Sequence, residues 1–369
     1  MLWAKIVYIT TVSSVKLNMK HMRYRVDPVL WLLAGGAAAL LLFGCSPSST
    51  GDAAAREPPL PLHALADIMV KPANPALAGR TLRMDYETID PRSRLLFVAY
   101  LGAGEIIAVD IASNRVTGHV TGLNAVHGVL AIPSSHRLYA SATGTDQVAT
   151  IDEDDLKVVE RTPGGDYPDG IAYDALDHEI FVSDEQGGTV TVIDTHTGAR
   201  TWTIDVGGEA GNTQFDPKSR RVFTDVQARN DVAVIDAISG HVVSRRQLTG
   251  CEHDHGLAVD PSRRLAFVGC DENARLLVMD LDDWKELAAF SVGDGPDVLA
   301  LDPGLGRLYV ASESGVVSVF QEHGKTVKPI GSAFLANEAH TVAVDPVTHR
   351  VYFALENVGG KAVIRVMAP

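Results

Sequence analysis

The chain is poor in positive charge, and it lacks the glycine motifs of several large enzyme classes. It has 32 Lys and Arg against 46 Asp and Glu, which gives a net charge of −14. A surface of that sign disfavours nonspecific binding to a polyanion, so we expect no nucleic-acid partner. The Gly-x-Ser-x-Gly elbow, the Walker loop and the Rossmann glycine pattern are all absent. No motif therefore indicates a serine hydrolase, a P-loop NTPase or a dinucleotide-binding protein.

Aromatic residues are also scarce, at 6%, whereas apolar residues make up 46% and there are 33 Gly and 18 Pro. This composition is typical of a turn-rich globular β protein and excludes a disordered or collagen-like chain. The length of 369 residues permits two average domains, but repetitive all-β folds of this size often form one.

The few basic residues are concentrated at the N-terminus. Residues 1–44 carry five Lys or Arg and one Asp, which leaves a charge of about −18 on the remainder. Arg23 and Arg25 precede the apolar run "VLWLLAGGAAALLLFG", as in a secretory signal, so we expect export. Residues 1–21 fit such a signal poorly, and we expect the true start at Met19 or Met22.

The apolar run stops at Cys45. The stretch Leu42-Phe43-Gly44-Cys45 resembles the lipobox of bacterial lipoproteins, in which the cysteine becomes lipidated, although Phe43 replaces the usual small residue. The resemblance implies a lipid anchor on the periplasmic or surface side of a bacterial membrane. The alternative is an uncleaved transmembrane anchor, since about 16 apolar residues fall just short of a span. We expect a signal and lipoprotein segment at 1–45, a flexible tether at 46–61 and a folded domain at 62–369.

A seven-residue phrase, seen as "HGLAVDP" from His255, recurs seven times at intervals of 42 to 44 residues. Each copy is followed by further short β-branched runs separated by Gly, Pro, Asp and Asn, which are strand and turn signals. Four antiparallel strands per repeat, seven times over, predict an all-β, seven-bladed β-propeller. The last repeat has only three strands before Pro369. The segment "ALADIMVKPANP" at 64–75 is expected to supply the missing outer strand and close the ring.

The phrases "RLYVAS" and "TVTVIDTHTG", together with the period of 42 residues, resemble the YVTN-type propellers, also called YncE-like. These belong to the superfamily that contains the haem d1 domain of nitrite reductase. The resemblance covers about residues 62–369 and implies the propeller fold. It implies little about function, because that superfamily includes binding modules, lyases and cofactor-bearing domains.

The residue that begins each repeated phrase enters the innermost strand of a blade, so the seven equivalent residues are expected to form a ring at one mouth of the channel. The fourth position is Gly211, and its neighbour Asn212 supplies the side chain there. The predicted ligand-binding ring is Asp85, His127, Asp169, Asn212, His255, Asp297 and His340.

Three ring histidines, His127, His255 and His340, are spaced roughly trigonally, and each has a ring aspartate beside it. A carboxylate that orients an imidazole is the usual second shell of a His-bound metal, so a divalent metal ion is a candidate cofactor. The loops that approach the ring add acids and contain no Lys. They favour a cation and repel phosphates. These acids are Asp166, Glu209, Glu252, Asp294 and Glu338.

We therefore expect an extracytoplasmic binding module whose mouth takes a small ligand, a metal ion or a partner protein. The alternative is a propeller lyase or hydrolase, in which a ring histidine acts as general base with Glu209, Asp169 or Asp297 as its partner. A third interpretation is a scaffold with no mouth site, whose ring residues only hydrogen-bond to neighbouring blades.

Two cysteines remain after the signal segment, Cys251 and Cys270, at the ends of the first two strands of blade five. Antiparallel pairing brings them to the same mouth, and a disulfide is expected in an oxidising compartment. A soft metal site built from both cysteines with His253 and His255 is the alternative. The phrase "GCEHDHGLAVDP" also resembles a cysteine pair that recurs in exported YVTN-type propellers, which implies the disulfide.

Overall fold

The computed structural model describes residues 58–369. The predicted signal segment, the lipidation site Cys45 and most of the predicted tether lie outside the described residues. Within residues 58–369 no helix is long and apolar enough to cross a bilayer.

The described chain folds into seven four-stranded antiparallel sheets, as predicted. It begins with β1 (His63–Met69), which joins the last blade. Blades one to four follow in order along the chain. Their strands are β2 (Glu87–Asp90), β3 (Leu95–Tyr100), β4 (Glu105–Asp110), β5 (Arg115–Thr121), β6 (Val126–Ile132), β7 (Arg137–Ala142), β8 (Gln147–Asp152), β9 (Lys157–Pro163), β10 (Pro168–Asp174), β11 (Glu179–Asp184), β12 (Thr189–Asp194), β13 (Arg200–Asp205), β14 (Ala210–Asp216), β15 (Arg221–Val226), β16 (Asp231–Asp236) and β17 (His241–Gln247).

Blades five to seven complete the ring. Their strands are β18 (Asp254–Asp260), β19 (Leu265–Cys270), β20 (Arg275–Asp280), β21 (Glu286–Ser291), β22 (Pro296–Asp302), β23 (Arg307–Ser312), β24 (Val316–His323), β25 (Thr326–Phe334), β26 (Ala343–Val344), β27 (Val351–Leu355) and β28 (Val363–Ala368). Four one-turn 3-10 helices connect elements at Pro75–Leu77, Leu101–Ala103, Thr143–Thr145 and Gln227–Arg229.

The core consists of seven hydrophobic clusters, one at each interface between adjacent blades. The middle strands are apolar along their whole length because both of their faces pack against neighbouring blades; β3, "LLFVAY", is an example. The outer strands, such as β5, alternate between exposed and half-buried positions because one of their faces meets solvent.

The ring closes as predicted. Strand β1 pairs antiparallel with β28, which gives blade seven its fourth strand and covers the edge of β28. Across this pair Arg365 donates two hydrogen bonds of 2.8 Å to the Asp67 carboxylate. The residues just before β1 also contact the propeller: the Ser332 N–H donates to the Pro58 carbonyl, and Leu60 packs on the cluster between blades six and seven.

In blades one to five the third strand ends in an aspartate that caps the following turn. Asp110, for example, accepts hydrogen bonds from the N–H groups of Ala112 and Ser113. Asp194 does the same in blade three. These aspartates therefore have a structural role in the turns, and they do not belong to the mouth.

Candidate ligand site at the channel mouth

The predicted ring residues occupy equivalent places at the entrance of the innermost strands. His127, Asp169 and Asp297 are each the second residue of their strand. Asp85 and His340 lie two and three residues before theirs. Contacts between the first strands of neighbouring blades hold these positions around one axis.

Two histidine–aspartate pairs form within the ring. His255 Nε2 lies 3.1 Å from Asp297 Oδ1, and His127 Nε2 lies 3.9 Å from Asp85 Oδ2. His340 is fully buried, and its Nδ1 lies 3.0 Å from the Glu338 carbonyl oxygen. His340 thus forms no pair with a ring aspartate, and its Nε2 is buried without a hydrogen-bond partner among the described residues.

No three His, Cys, Asp or Glu side chains of the described chain are grouped so that they could hold a metal ion. The three histidines predicted as metal ligands, His127, His255 and His340, do not form such a group in the structure. A metal site there remains a prediction.

His255 is held as an imidazolium. Burial opposes its protonation, but the hydrogen bond and charge of Asp297 raise its pKa well above the ordinary value, and Asp169 and Glu185 add to the effect. Its other nitrogen, Nδ1, lies 3.1 Å from Gln227 Oε1, so both ring N–H groups have an acceptor. Burial alone would raise the pKa of Asp297, but His255 lowers it to about 2. The two groups form a partly buried ion pair.

Arg83 is a site residue that the sequence interpretation missed. It stands two residues before Asp85, whereas the approach loops of blades three to seven carry acids two or three residues before the ring. Its guanidinium nitrogens lie 3.3 Å from Glu313, 3.8 Å from Asp297 and 3.8 Å from Glu338. These carboxylates belong to blades six and seven, so Arg83 neutralises that side of the mouth.

A second ring, which is polar in blades two to seven, surrounds the first. Its members follow the second strand of each blade, sixteen residues after each first-ring position, so they repeat with the same spacing. Thr143 Oγ1 and Gln227 Oε1 contact the first-ring histidines His127 and His255, and Glu313 contacts Arg83. The same period could have identified this ring from the sequence. Its members are Leu101, Thr143, Glu185, Gln227, Asp271, Glu313 and Glu356.

On the side of the mouth formed by blade three, no described residue neutralises the carboxyls as Arg83 does on the other side. Burial raises the pKa of Asp169 to about 7, and Asp85 adds to the effect. Burial also raises the pKa of Glu185 to about 7, with a further contribution from Asp169. Asp169 Oδ1 is buried and has no hydrogen-bond partner among the described residues. Asp169 and Glu185 are thus two adjacent carboxyls that lack a counterion of their own.

At the bottom of the mouth, a hydrogen bond crosses the channel from blade one to blade four. The Tyr86 hydroxyl of blade one donates to Asn212 Oδ1 of blade four at 2.6 Å, and Asn212 Nδ2 donates to the His255 carbonyl. Both side chains also line a cavity of about 250 Å³ between the innermost strands. In that cavity burial raises the pKa of Glu87 to about 8.

The predicted disulfide is confirmed. Cys251 and Cys270 are bonded and buried, with their Cα atoms 5.3 Å apart. The alternative of a soft metal site at these cysteines is therefore wrong, since no thiolate is free to bind. His253, a ligand in that alternative, instead lies 3.4 Å from Asp271 and 3.8 Å from Glu209.

Comparison with known proteins supports the fold and no more. No family model matches the chain, and no curated protein matches it. A solved structure of Kuenenia stuttgartiensis hydrazine synthase is similar, with a TM-score of 0.64 and 18% sequence identity over 76% of this chain and 94% of that one. At that identity the similarity shows the propeller architecture alone.

Proposed function

We propose that this chain is an extracytoplasmic binding module of the YVTN type that takes a small organic cation at its channel mouth. The observation that carries the proposal is the pair Asp169 and Glu185, whose carboxyls have pKa values of about 7 and no basic partner of their own. A protonated amine placed between them would supply the missing counterion.

Arg83 supports the same chemistry from within the chain. Its guanidinium already lies among Asp85, Asp297, Glu313 and Glu338 on the opposite side of the mouth. A cation on the blade-three side would make the arrangement symmetrical, with each group of carboxylates neutralised. The net charge of −14 would attract such a ligand over longer distances.

Isothermal titration calorimetry with putrescine tests the proposal, and 1,4-butanediol serves as the uncharged comparison. We expect putrescine to bind and the diol not to bind. The double variant Asp169→Asn with Glu185→Gln should weaken putrescine binding by about tenfold or more, because charge-assisted hydrogen bonds contribute about 1.5–3 kcal/mol each.

The control is Asp205→Asn with Glu286→Gln, which makes the same charge change at exposed positions of outer strands. Equal putrescine affinity in the two double variants would contradict the proposal. Binding of Zn²⁺ or Ca²⁺ without binding of putrescine would also overturn it, and would favour the metal-binding prediction.

A lyase or hydrolase is the second candidate function, and the partly buried ion pair of His255 and Asp297 favours it. The imidazolium is 22% exposed at the mouth and could donate a proton to a bound substrate. Mass spectrometry of a cationic ligand recovered after long incubation separates the two functions: a binding module returns it unchanged, whereas an enzyme returns a cleaved product that His255→Asn should abolish.

We also propose that the chain is exported and lipid-anchored through Cys45. The signal-like N-terminus and lipobox resemblance support this, as does the disulfide, because such bonds persist in oxidising compartments. Metabolic labelling with an alkyne-bearing fatty acid tests it. We expect label in the wild type and in Ser46→Ala but none in Cys45→Ala; equal labelling of the two variants would refute the anchor.

A further inference from the structure

A groove between blades four and five, away from the mouth, contains a cavity of about 350 Å³. Strands β15, β16 and β17 of blade four form one wall, and turns of blade five form the other. The volume is at the lower end of the range for small-molecule sites. The side chains that matter are Arg221, Phe223, Ser244, Arg246, Arg264 and Trp284.

The repeats show why this groove is open. Between blades three and four, Trp202 of the outer strand fills the groove over Gly240, where an added Cβ would lie only 2.4 Å from the Trp202 ring. Between blades four and five the sizes are exchanged: Ser244 takes the place of Trp202, and Trp284 takes the place of Gly240. The Trp284 ring packs against Phe223, with centroids 5.2 Å apart.

Trp284 is held in an unusual backbone conformation. Its φ is +60°, and the equivalent turn positions of blades three and four carry Gly198 and Gly240. A bulky residue is rarely placed in the left-handed region, because its Cβ is crowded by the backbone. The same left-handed conformation occurs at Asn114 and Leu156, the equivalent turn positions of blades one and two. At Trp284 this conformation places the indole ring against the groove.

Arg246 is the second departure from the repeat. The equivalent positions on the other outer strands of blades one to six carry no charge; they are Val120, Thr162, Ile204, Phe290 and Ala333. The Arg246 Nε is buried without a hydrogen-bond partner, and no carboxylate of residues 58–369 forms an ion pair with its guanidinium. A buried, unpaired donor at this position is costly unless an acceptor is supplied.

The other two arginines of the groove are already neutralised. Arg221 donates to Asp236 at 2.6 Å, and Arg264 donates to Asp216 and Asp282 at 2.8 Å each. Arg246 therefore leaves one positive charge unbalanced in a chain that is acidic overall. The acceptor that fits is a single negative group.

We propose that this groove binds a small aromatic carboxylate. The carboxylate would accept hydrogen bonds from Arg246, since a guanidinium matches that planar anion with two N–H groups. The aromatic ring would pack against Trp284 and Phe223, which already present a tilted aromatic pair. The site is independent of the channel mouth and selects the opposite charge.

Calorimetric titration of the full-length protein with benzoate tests the proposal. We expect binding in the wild type and at least about tenfold weaker binding in Arg246→Ile, which restores the uncharged residue type of the other blades. Because that change also removes the unpaired buried donor, the variant should unfold at the same temperature as the wild type or higher. Arg161→Leu, on the outer strand of blade two, is the matched control and should bind benzoate normally.

A second variant, Trp284→Gly, restores the residue that two other blades carry at this turn. It should also weaken benzoate binding, with circular dichroism used to confirm the fold. Absence of benzoate binding in the wild type, or an unchanged dissociation constant in Arg246→Ile, would overturn the proposal. Benzyl alcohol binding as tightly as benzoate would refute the role of the charge, and inorganic phosphate binding as tightly would refute the role of the ring.

Discussion

Asp169→Asn should make the protein more stable at alkaline pH, although Asp169 belongs to the proposed binding site. The pKa of this carboxyl is raised to about 7 by burial and by Asp85, whereas in the unfolded chain it titrates near its ordinary value of 3.8. Between about pH 4 and 7 the folded state therefore holds a proton that the unfolded state has released. The contribution of Asp169 to the free energy of unfolding falls as the pH rises through this window and stays low above pH 7.

The difference between these two pKa values corresponds to about 4 kcal/mol at pH 8. The variant would recover only part of it. The amide brings two N–H donors into a buried site and removes a negative charge that stabilises the His255 imidazolium. We expect a net gain of about 2 kcal/mol at pH 8 and a difference within about 0.5 kcal/mol at pH 5, where the wild-type carboxyl is already protonated.

Urea unfolding followed by circular dichroism, without reductant so that the disulfide stays intact, measures this difference. Asp205→Asn is the control, because it removes an exposed carboxylate that lies outside the mouth. A variant no more stable than the wild type at pH 8, or one equally stabilised at pH 5, would refute the reasoning that burial and charge raise the pKa of Asp169.

Two further predictions concern the framework around the mouth. Replacing Cys251 and Cys270 together by Ser should cost about 3 kcal/mol of stability in urea unfolding, since the bond closes a loop of about 20 residues; an unchanged midpoint would show that the bond adds nothing. Gly128→Ala should destabilise far more than Gly170→Ala in the next blade, because the added Cβ would meet the Asp169 carbonyl oxygen at 2.0 Å in the first case and nothing closer than 3.3 Å in the second; similar melting temperatures for the two would contradict the packing of the inner strands.

The architecture could be predicted because the fold repeats. Each copy of the repeated seven-residue phrase marks the entrance of an innermost strand. The spacing of about 42 residues between copies therefore predicted the number of blades, the ring at the mouth and the closing role of β1. The disulfide followed from the same pairing, because the first and second strands of blade five bring Cys251 and Cys270 together.

The charge balance of the mouth could not be predicted in the same way. It depends on where the long Arg83 side chain reaches across the ring, and its contacts are with residues more than 200 positions away. An alignment of the seven repeats would identify Arg83 in the loop that precedes the first strand of blade one. The reach of Arg83 toward blades six and seven, which leaves Asp169 and Glu185 with no ion-pair partner except the charge of the more distant His255, is a property of the folded ring.

The groove between blades four and five could not be predicted from the sequence either. An alignment of the outer strands would identify Arg246 as the charged exception, and the turn alignment would identify Trp284. Neither alignment reveals a cavity. The cavity arises because Ser244 is too small to fill the space that Trp202 fills in the preceding interface.

If the two half-protonated carboxyls of Asp169 and Glu185 bind an organic cation, binding must release protons, and the number released can be measured. Titration of the wild type with putrescine at pH 7, in two buffers with different ionisation enthalpies, yields this number. A cation beside Asp169 and Glu185 lowers the pKa of both groups, so we predict net release of protons, about one per bound putrescine. Absence of binding, or binding with no proton released, would contradict the account.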